Sequence, residues 1–248
     1  MHYINPIVLH GIVSDGKRKC FEDLELSVFK SVLESFKDNF ISINDNLSDL
    51  NLDSNKILLT FDDGLCSDFE MVYPLVLDQN IKVICFVISE MVNKEGYLSS
   101  DNILEMSNNG VIIGSHSKNH LAFDLLSEKD QYIEFSDSKD FLQQITGSEI
   151  ENFSFPYGAN NNASLKIGLN CGYKRLFTSK HGLYRENNNI APRNSINGTM
   201  TINQIKKILR PSQFTQVKWS IEDQLKINIK KYAGDESYKK IRKILLGE

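Results

Sequence analysis

The sequence has few cysteines, and they lie far apart. The four are Cys20, Cys66, Cys85 and Cys171, and no two of them form a Cys-x-x-Cys motif. Disulfide frameworks and cysteine metal sites depend on grouped cysteines. We therefore expect reduced thiols, packed in the core or lying at the surface.

Long hydrophobic runs and an excess of positive charge are also absent. No stretch reaches the roughly 18 apolar residues that span a bilayer. The first residues lack a basic region followed by a long apolar segment, which predicts a cytoplasmic protein. The formal net charge of −4 does not supply the basic face that nucleic-acid binding requires, so we expect no nucleic-acid partner.

The residues that are present fit one globular α/β domain. Hydrophobic residues make up 41% of the 248 positions, an ordinary fraction for a soluble protein. Apolar runs of strand length alternate with segments of helical period, which is typical of a parallel sheet or barrel. The predicted strands are residues 7–10, 56–61, 82–88, 111–115, 152–155 and 175–178.

Serine and threonine residues mark three predicted helix starts. Ser27 precedes apolar residues at helical spacing, Ser127 begins a segment that runs toward Gly147, and Thr201 precedes a third helix. Side-chain oxygens of serine and threonine bond the free N–H groups of a first helical turn, and glycine commonly ends a helix.

Two polar clusters follow predicted strands: residues 60–64, with the sequence TFDDG, and residues 116–120, with the sequence HSKNH. Adjacent acids after a buried strand are costly to desolvate unless they are paired or bind a cation. His116 and His120, four residues apart, are predicted to share one side of a helical turn. With one carboxylate they form a metal set that leaves positions open for water and substrate, as in a hydrolase. A turn with an N-capping acid and a pair of surface histidines are the alternatives.

These clusters, followed by the sequence FPYG at residues 155–158, resemble the polysaccharide deacetylases, the NodB-homology or carbohydrate esterase 4 group. The resemblance covers roughly residues 56–195. It implies a distorted (β/α)7 barrel, assigned here to residues 1–210, and metal-dependent hydrolysis of an acetyl group on a sugar.

The resemblance also implies roles for single residues. Asp62 matches the catalytic base, and Asp63 matches the metal ligand that acts with His116 and His120. Tyr157 matches the residue whose backbone N–H stabilises the oxyanion. A histidine and carboxylate set favours Zn²⁺, with Co²⁺, Ni²⁺ or Mn²⁺ as alternatives, over magnesium or calcium.

The sequence departs from the family pattern at the residue that orients the base. Ser154 stands where an arginine is usual, and no Asp-Trp motif lies downstream, because the single tryptophan, Trp219, has no preceding acid. Arg193 is the candidate replacement for the arginine. A surface or structural role for Arg193 is the alternative.

The usual late Leu-x-His motif, which supplies the general acid, is also missing. Of the five histidines, His10 and His181 follow predicted strands and are the two candidates. We favour His10, because related subgroups begin with a similar strand that ends in histidine.

The predicted function is removal of an N-acyl group, acetyl or formyl, from an amino sugar during surface polysaccharide synthesis. Hydrolysis of non-sugar amides or ureides on the same fold is one alternative. A carbohydrate-binding relative without catalysis is another, motivated by the missing arginine and histidine.

The C-terminal residues 211–248 are predicted to form a basic helical tail. Seven lysines and arginines lie between Lys226 and Lys243, with apolar residues at helical spacing. Such a helix packs on the barrel or makes weak contact with an anionic membrane surface.

Overall fold

A computed structural model describes residues 3–45, 56–185 and 188–225. The predicted basic helix between Lys226 and Lys243 lies outside the described residues. The strands are β1 (Ile4–Leu9), β2 (Ile12–Val13), β3 (Leu24–Glu25), β4 (Lys56–Phe61), β5 (Val83–Val87), β6 (Ile112–Ser115), β7 (Asn152–Ser154), β8 (Arg175–Phe177), β9 (Ile190–Ala191) and β10 (Asn194–Ser195). The helices are α1 (Leu26–Phe36), α2 (Tyr73–Asp78), α3 (Ser100–Asn108), α4 (Glu128–Thr146), α5 (Asn162–Asn170) and α6 (Ile202–Leu209), and residues 213–225 form α7.

Eight strands form one parallel sheet in the order β10-β1-β4-β5-β6-β7-β8-β9. The two edge strands, β9 and β10, are separated in the chain only by Pro192 and Arg193. Strand β9 pairs with β8, and β10 pairs with β1. One short segment therefore bonds both edges and closes the sheet. Counted as one broken strand, it makes a seven-stranded barrel, and the predicted (β/α)7 fold is confirmed.

Alternate strand residues pack on opposite faces of the sheet. The larger cluster, which includes Ile7, Leu59 and Phe153, packs with apolar residues of the helices. A smaller cluster lies within the curve of the sheet and comprises Ile4, Ile41, Leu58, Ile84, Phe86, Phe177, Tyr184 and Ala191. Burial on both faces explains why the strands read as continuous apolar runs.

The helix starts agree with prediction at two of three positions. The hydroxyl oxygens of Ser127 and Thr201 accept bonds from N–H groups of the first turn, and Gly147 ends α4 with φ of 66°. The predicted cap at Ser27 is wrong, because the N-cap of α1 is Glu25. The chain passes directly from β3 into α1, and Asp15 accepts the Ser27 backbone N–H at 3.0 Å.

Helix α7 lies beyond residue 210, where the barrel was predicted to end. That boundary stays a prediction. Its Trp219 is buried and stacks on His181 of the barrel. No helix in the described ranges has both the length and the hydropathy that crossing a membrane requires.

Candidate metal centre and active site

The polar residues of interest meet at the carboxyl ends of the barrel strands. Asp62 and Asp63 follow β4, His116 follows β6, and Arg193 lies between β9 and β10. Parallel strands end at the same edge of a sheet, which is where ligands bind in such folds. Closure of the barrel therefore brings together residues that are far apart in sequence.

Asp63, His116 and His120 form a compact cluster of possible metal ligands. Asp63 Oδ1 lies 3.5 Å from His116 Nε2 and 3.4 Å from His120 Nε2. One ligand atom from each residue lies within 4.8 Å of the others. The three atoms converge on one point, as ligands of a single divalent cation would.

The two histidines do not share a helical turn, so that detail of the prediction is wrong. Residues 116–120 form a loop in which Ser117 and His120 have φ of 68° and 59°. Asp63 and Tyr157 also have left-handed backbone, with φ of 77° and 57°. Such conformations cost energy in residues other than glycine and concentrate at functional sites. Four of the six non-glycine residues with positive φ in the described ranges belong to this site.

The protonation states of the two rings suit a cation. His116 Nδ1 lies 2.8 Å from the carbonyl oxygen of Ser154, which can only accept, so Nδ1 carries the proton and Nε2 keeps its lone pair. Burial lowers the pKa of His120 to about 4. A neutral His120 therefore also offers a lone pair at neutral pH. The donor set fits a borderline divalent metal.

Asp62 borders this cluster, with its Oδ2 3.8 Å from His116 Nε2, and is bonded by Arg193. Arg193 Nη1 donates to Asp62 Oδ1 at 2.6 Å and Nη2 donates to Oδ2 at 2.8 Å. Both residues are at most 3% exposed. Burial alone raises the pKa of Asp62, but the charge and hydrogen bonds of Arg193 outweigh burial and hold that pKa below its usual range. Asp62 is therefore a buried, ionised carboxylate with fixed orientation.

Ser154 contributes to the same arrangement. Its hydroxyl accepts from Arg193 Nη2 at 2.7 Å and donates to Asp62 Oδ2 at 3.2 Å. A small side chain at this position leaves the space that the Arg193 guanidinium occupies. The surface alternative for Arg193 is wrong, since the residue is 2% exposed.

The two candidate histidines lie in different surroundings. His10 follows β1 beside Asp62, whose backbone N–H donates to Leu9. Burial has the largest influence on the pKa values of Asp62 and His120, and the charge of His10 contributes to both. His181 instead contacts α7: its Nδ1 lies 2.8 Å from Asp223 Oδ1, and its ring stacks on Trp219.

Tyr157 lies in the short turn Pro156–Gly158 that follows β7. Its ring centroid is 4.6 Å from that of His120, and the residue is 57% exposed. The Tyr157 backbone and an aromatic surface thus border the ligand cluster on its open side.

Sequence reasoning missed Glu134, which holds the loop between the histidines. This residue of α4 is 3% exposed and accepts from the backbone N–H groups of Lys118 and Asn119 at 3.0 and 2.8 Å. Its Oε1 also accepts from the side-chain amide of Asn119 at 2.7 Å, so this exposed loop residue is tied to α4. A signal was present, because Glu134 adjoins Phe135 on the buried face of an otherwise polar helix.

The family model that describes polysaccharide deacetylases matches residues 49–176 of the chain. YxkH of Bacillus subtilis (strain 168), which carries the family's name, is 29% identical over 126 residues. That match spans 51% of this chain and 45% of YxkH, so the chain matches less than half the length of this relative.

Solved structures agree in fold. The Streptococcus pyogenes deacetylase PplD, solved with acetate, is 23% identical with a TM-score of 0.74 over 84% of this chain and 99% of PplD. The polysaccharide deacetylase BC0361 of Bacillus cereus is 21% identical with a TM-score of 0.73 over 84% of this chain and 69% of BC0361. With a matched segment that covers half of its length and contains Asp62, Asp63, His116 and His120, the chain belongs to the polysaccharide deacetylase family.

Proposed function

We propose that the protein is a metal-dependent hydrolase that removes an N-acyl group, acetyl or formyl, from an amino sugar. One observation carries the proposal: two neighbouring carboxylates border one histidine but differ in their main partners. Asp63 faces the Nε2 atoms of both histidines, whereas both oxygens of Asp62 are bonded by Arg193 and only its Oδ2 lies near His116, at 3.8 Å. A cation site and a base are thereby held side by side.

Asp63, His116 and His120 would hold the cation, which we propose is Zn²⁺. When bound, such a cation polarises the amide carbonyl and makes water more acidic. His116 is oriented for this by the Ser154 carbonyl, and His120 is kept neutral by burial. Metal dependence and the identity of the metal are parts of the proposal.

Asp62 acts as the general base that takes the proton from the attacking water. Its two oxygens are fixed by Arg193 and Ser154, so the carboxylate is ionised and oriented before substrate arrives. A pre-oriented base costs little reorganisation at the moment of reaction. This arrangement also weakens the alternative of a carbohydrate-binding relative without catalysis. Arg193 bonds Asp62, the proposed base, which the missing arginine would otherwise orient.

His10 acts as the general acid that returns a proton to the leaving amine. It follows Leu9, whose carbonyl oxygen accepts the Asp62 backbone N–H, whereas the contacts of His181 are with Asp223 and Trp219. The Tyr157 backbone N–H would meet the negative charge that develops on the carbonyl oxygen. The exposed Tyr157 ring offers a surface on which a sugar ring can stack.

Release of acetate and formate from a panel of substrates tests the proposal. The panel contains N-acetylated and N-formylated amino sugars, free and in oligosaccharides, together with small amides and ureides. We expect the zinc-loaded protein to release acid from the amino sugars, and an Asp62→Ala variant to release none. Release from ureides alone would refute the substrate class, and undiminished release by Asp62→Ala would refute the proposed base.

A cytoplasmic location, and with it action on a precursor before export, is a separate proposal. Precursor sugars should then be deacylated faster than finished polymer by the same preparation. Faster release from polymer would contradict it.

A further inference from the structure

Helix α7 carries a stripe of exposed apolar side chains, which we call the α7 stripe. It consists of Phe214, Val217, Ile221 and Leu225, which are 80%, 59%, 57% and 54% exposed. Their spacings of three and four residues place them along one side of a helix. Large apolar side chains grouped in this way mark an interaction surface, whereas scattered ones do not.

The α7 stripe is not the face by which the helix docks on the barrel. Trp219, 7% exposed, stacks on His181, and Asp223 accepts the His181 backbone N–H at 2.8 Å. At 3.6 residues per turn, Trp219 and Asp223 lie on the side of α7 opposite the stripe. The docked face therefore fixes the helix with its apolar stripe directed outward.

The chain that follows the α7 stripe has a charge opposite to that of the rest of the protein. Residues 226–248 contain seven lysines and arginines against three acidic residues, whereas the whole chain has a net charge of −4. A helix with Phe, Val, Ile and Leu on one side, followed in the sequence by a cluster of basic residues, is typical of proteins that lie on anionic bilayers.

We propose that the α7 stripe docks on an anionic phospholipid surface, an occupant that the basic composition of residues 226–248 supports. The apolar side chains enter the boundary between headgroups and acyl chains, and the cations are attracted to the negative surface potential. The basic composition of residues 226–248 favours an anionic surface as the occupant. The inference does not depend on the proposed enzymatic activity.

Flotation of the full-length protein with lipid vesicles tests the proposal. We expect the protein to float with vesicles that contain phosphatidylglycerol, to stay behind with pure phosphatidylcholine, and to lose binding as salt rises. Phe214→Ser combined with Ile221→Ser should reduce the partition coefficient by roughly tenfold or more. Lys239→Gln, Lys240→Gln and Lys243→Gln together should reduce it by about a hundredfold.

Leu77→Ser combined with Leu104→Ser provides the matched control. These side chains are 41% and 39% exposed on α2 and α3, away from α7. The control should bind vesicles as the wild type does. Thermal unfolding of each variant checks that it folds. We expect each to fold, because all four substituted leucine, phenylalanine and isoleucine side chains are exposed.

Two results would overturn the proposal. One is no flotation above the phosphatidylcholine background, and the other is flotation that the Phe214→Ser and Ile221→Ser changes leave intact. If the protein does not bind vesicles, two further measurements identify what covers the stripe instead. A concentration-dependent dimer that these changes abolish would identify a second copy. If the stripe substitutions and deletion of residues 226–248 lower the melting temperature equally, and combining them lowers it no further, the protein's own C-terminal segment covers the stripe.

Discussion

Asp62 and Asp63 are neighbours in the chain and both border His116, yet their main partners differ. Asp63 has left-handed backbone and lies 3.5 Å or less from two imidazole nitrogens. Asp62 is buried against a guanidinium group that bonds both of its oxygens. The turn after β4 therefore separates the proposed metal ligand from the proposed general base.

Arg193 should be needed both for stability and for turnover. Arg193→Ala leaves a buried carboxylate without its partner, so the free energy of unfolding should fall by about 3–5 kcal/mol. Arg193→Lys keeps the charge but loses the paired geometry, and turnover should fall with a smaller loss of stability. Urea unfolding and acetate release measure the two effects.

Arg210→Lys is the control for Arg193, because Arg210 is exposed and its partner Asn39 is a surface residue. It should change stability by no more than about 0.5 kcal/mol. An Arg193→Lys variant with wild-type turnover would show that the two-pronged pair is dispensable.

Asp68 is a buried acid beside the site whose stability contribution should depend on pH. Burial raises the pKa of Asp68 well above its ordinary value, its Oδ2 accepts from the Cys85 thiol at 3.4 Å, and its Oδ1 has no partner among the described residues. The folded protein therefore keeps this carboxyl protonated at pH values where the unfolded chain has already released the proton. Folding must bind that proton, so stability falls as pH rises above the pKa of the unfolded chain.

Asp68→Asn removes this pH dependence while keeping the shape of the neutral acid. The stability of the variant relative to wild type should therefore increase from about pH 4 toward neutrality. Urea unfolding of both proteins across that range measures the difference. A difference that does not change with pH would mean that Asp68 is not protonated in the folded protein.

At the scale of elements, the loop that carries the histidines depends on α4. Glu134 accepts three hydrogen bonds from residues 118–119, and the Ser117 hydroxyl accepts the His120 backbone N–H at 2.9 Å. These contacts maintain a loop whose backbone is strained at two positions.

Glu134→Ala should weaken metal binding although Glu134 is not a ligand. Loss of residues that orient metal ligands typically costs about 10–100-fold in affinity. Zinc titration calorimetry measures it, with Glu128→Ala as the control because Glu128 is exposed in the first turn of the same helix. Unchanged affinity in Glu134→Ala would mean that the loop keeps its shape without α4.

The contacts of α7 separate the two candidate general acids. His10→Ala should lower turnover by about 10²–10⁴-fold, the usual contribution of a general acid. His181→Ala should loosen α7, seen as faster hydrogen exchange in residues 213–225, with little change in turnover. A large loss of turnover in His181→Ala, with His10→Ala active, would reverse the assignment.

Local patterns predicted the elements because each pattern lies within one segment. The predicted strand 56–61 matches β4, and Ser127, Gly147 and Thr201 bound their helices as expected. The loop at residues 116–120 could not be predicted, because its conformation depends on Glu134 in another helix. Likewise, β3 leads directly into α1, so the helix begins earlier than predicted and its N-cap is Glu25, not Ser27.

At the scale of the whole molecule, closure of the barrel creates the site. Residues 190–195 bond both β8 and β1, and Pro192 and Arg193 lie between the two pairings. The motifs at residues 60–64 and 116–120 indicated the metal cluster from sequence. The contact between Arg193 and Asp62 spans 131 positions, and no local pattern of the sequence could establish it.

Metal content and acetate release, measured on the same samples of wild type, Asp62→Asn and Asp63→Asn, test the central claim most directly. The two variants make the same chemical change at adjacent positions. We expect about one zinc per chain in wild type and Asp62→Asn, with release only by wild type. Asp63→Asn should lose both the metal and the activity. Loss of metal in Asp62→Asn, or full metal content in Asp63→Asn, would contradict the division of roles between the two carboxylates.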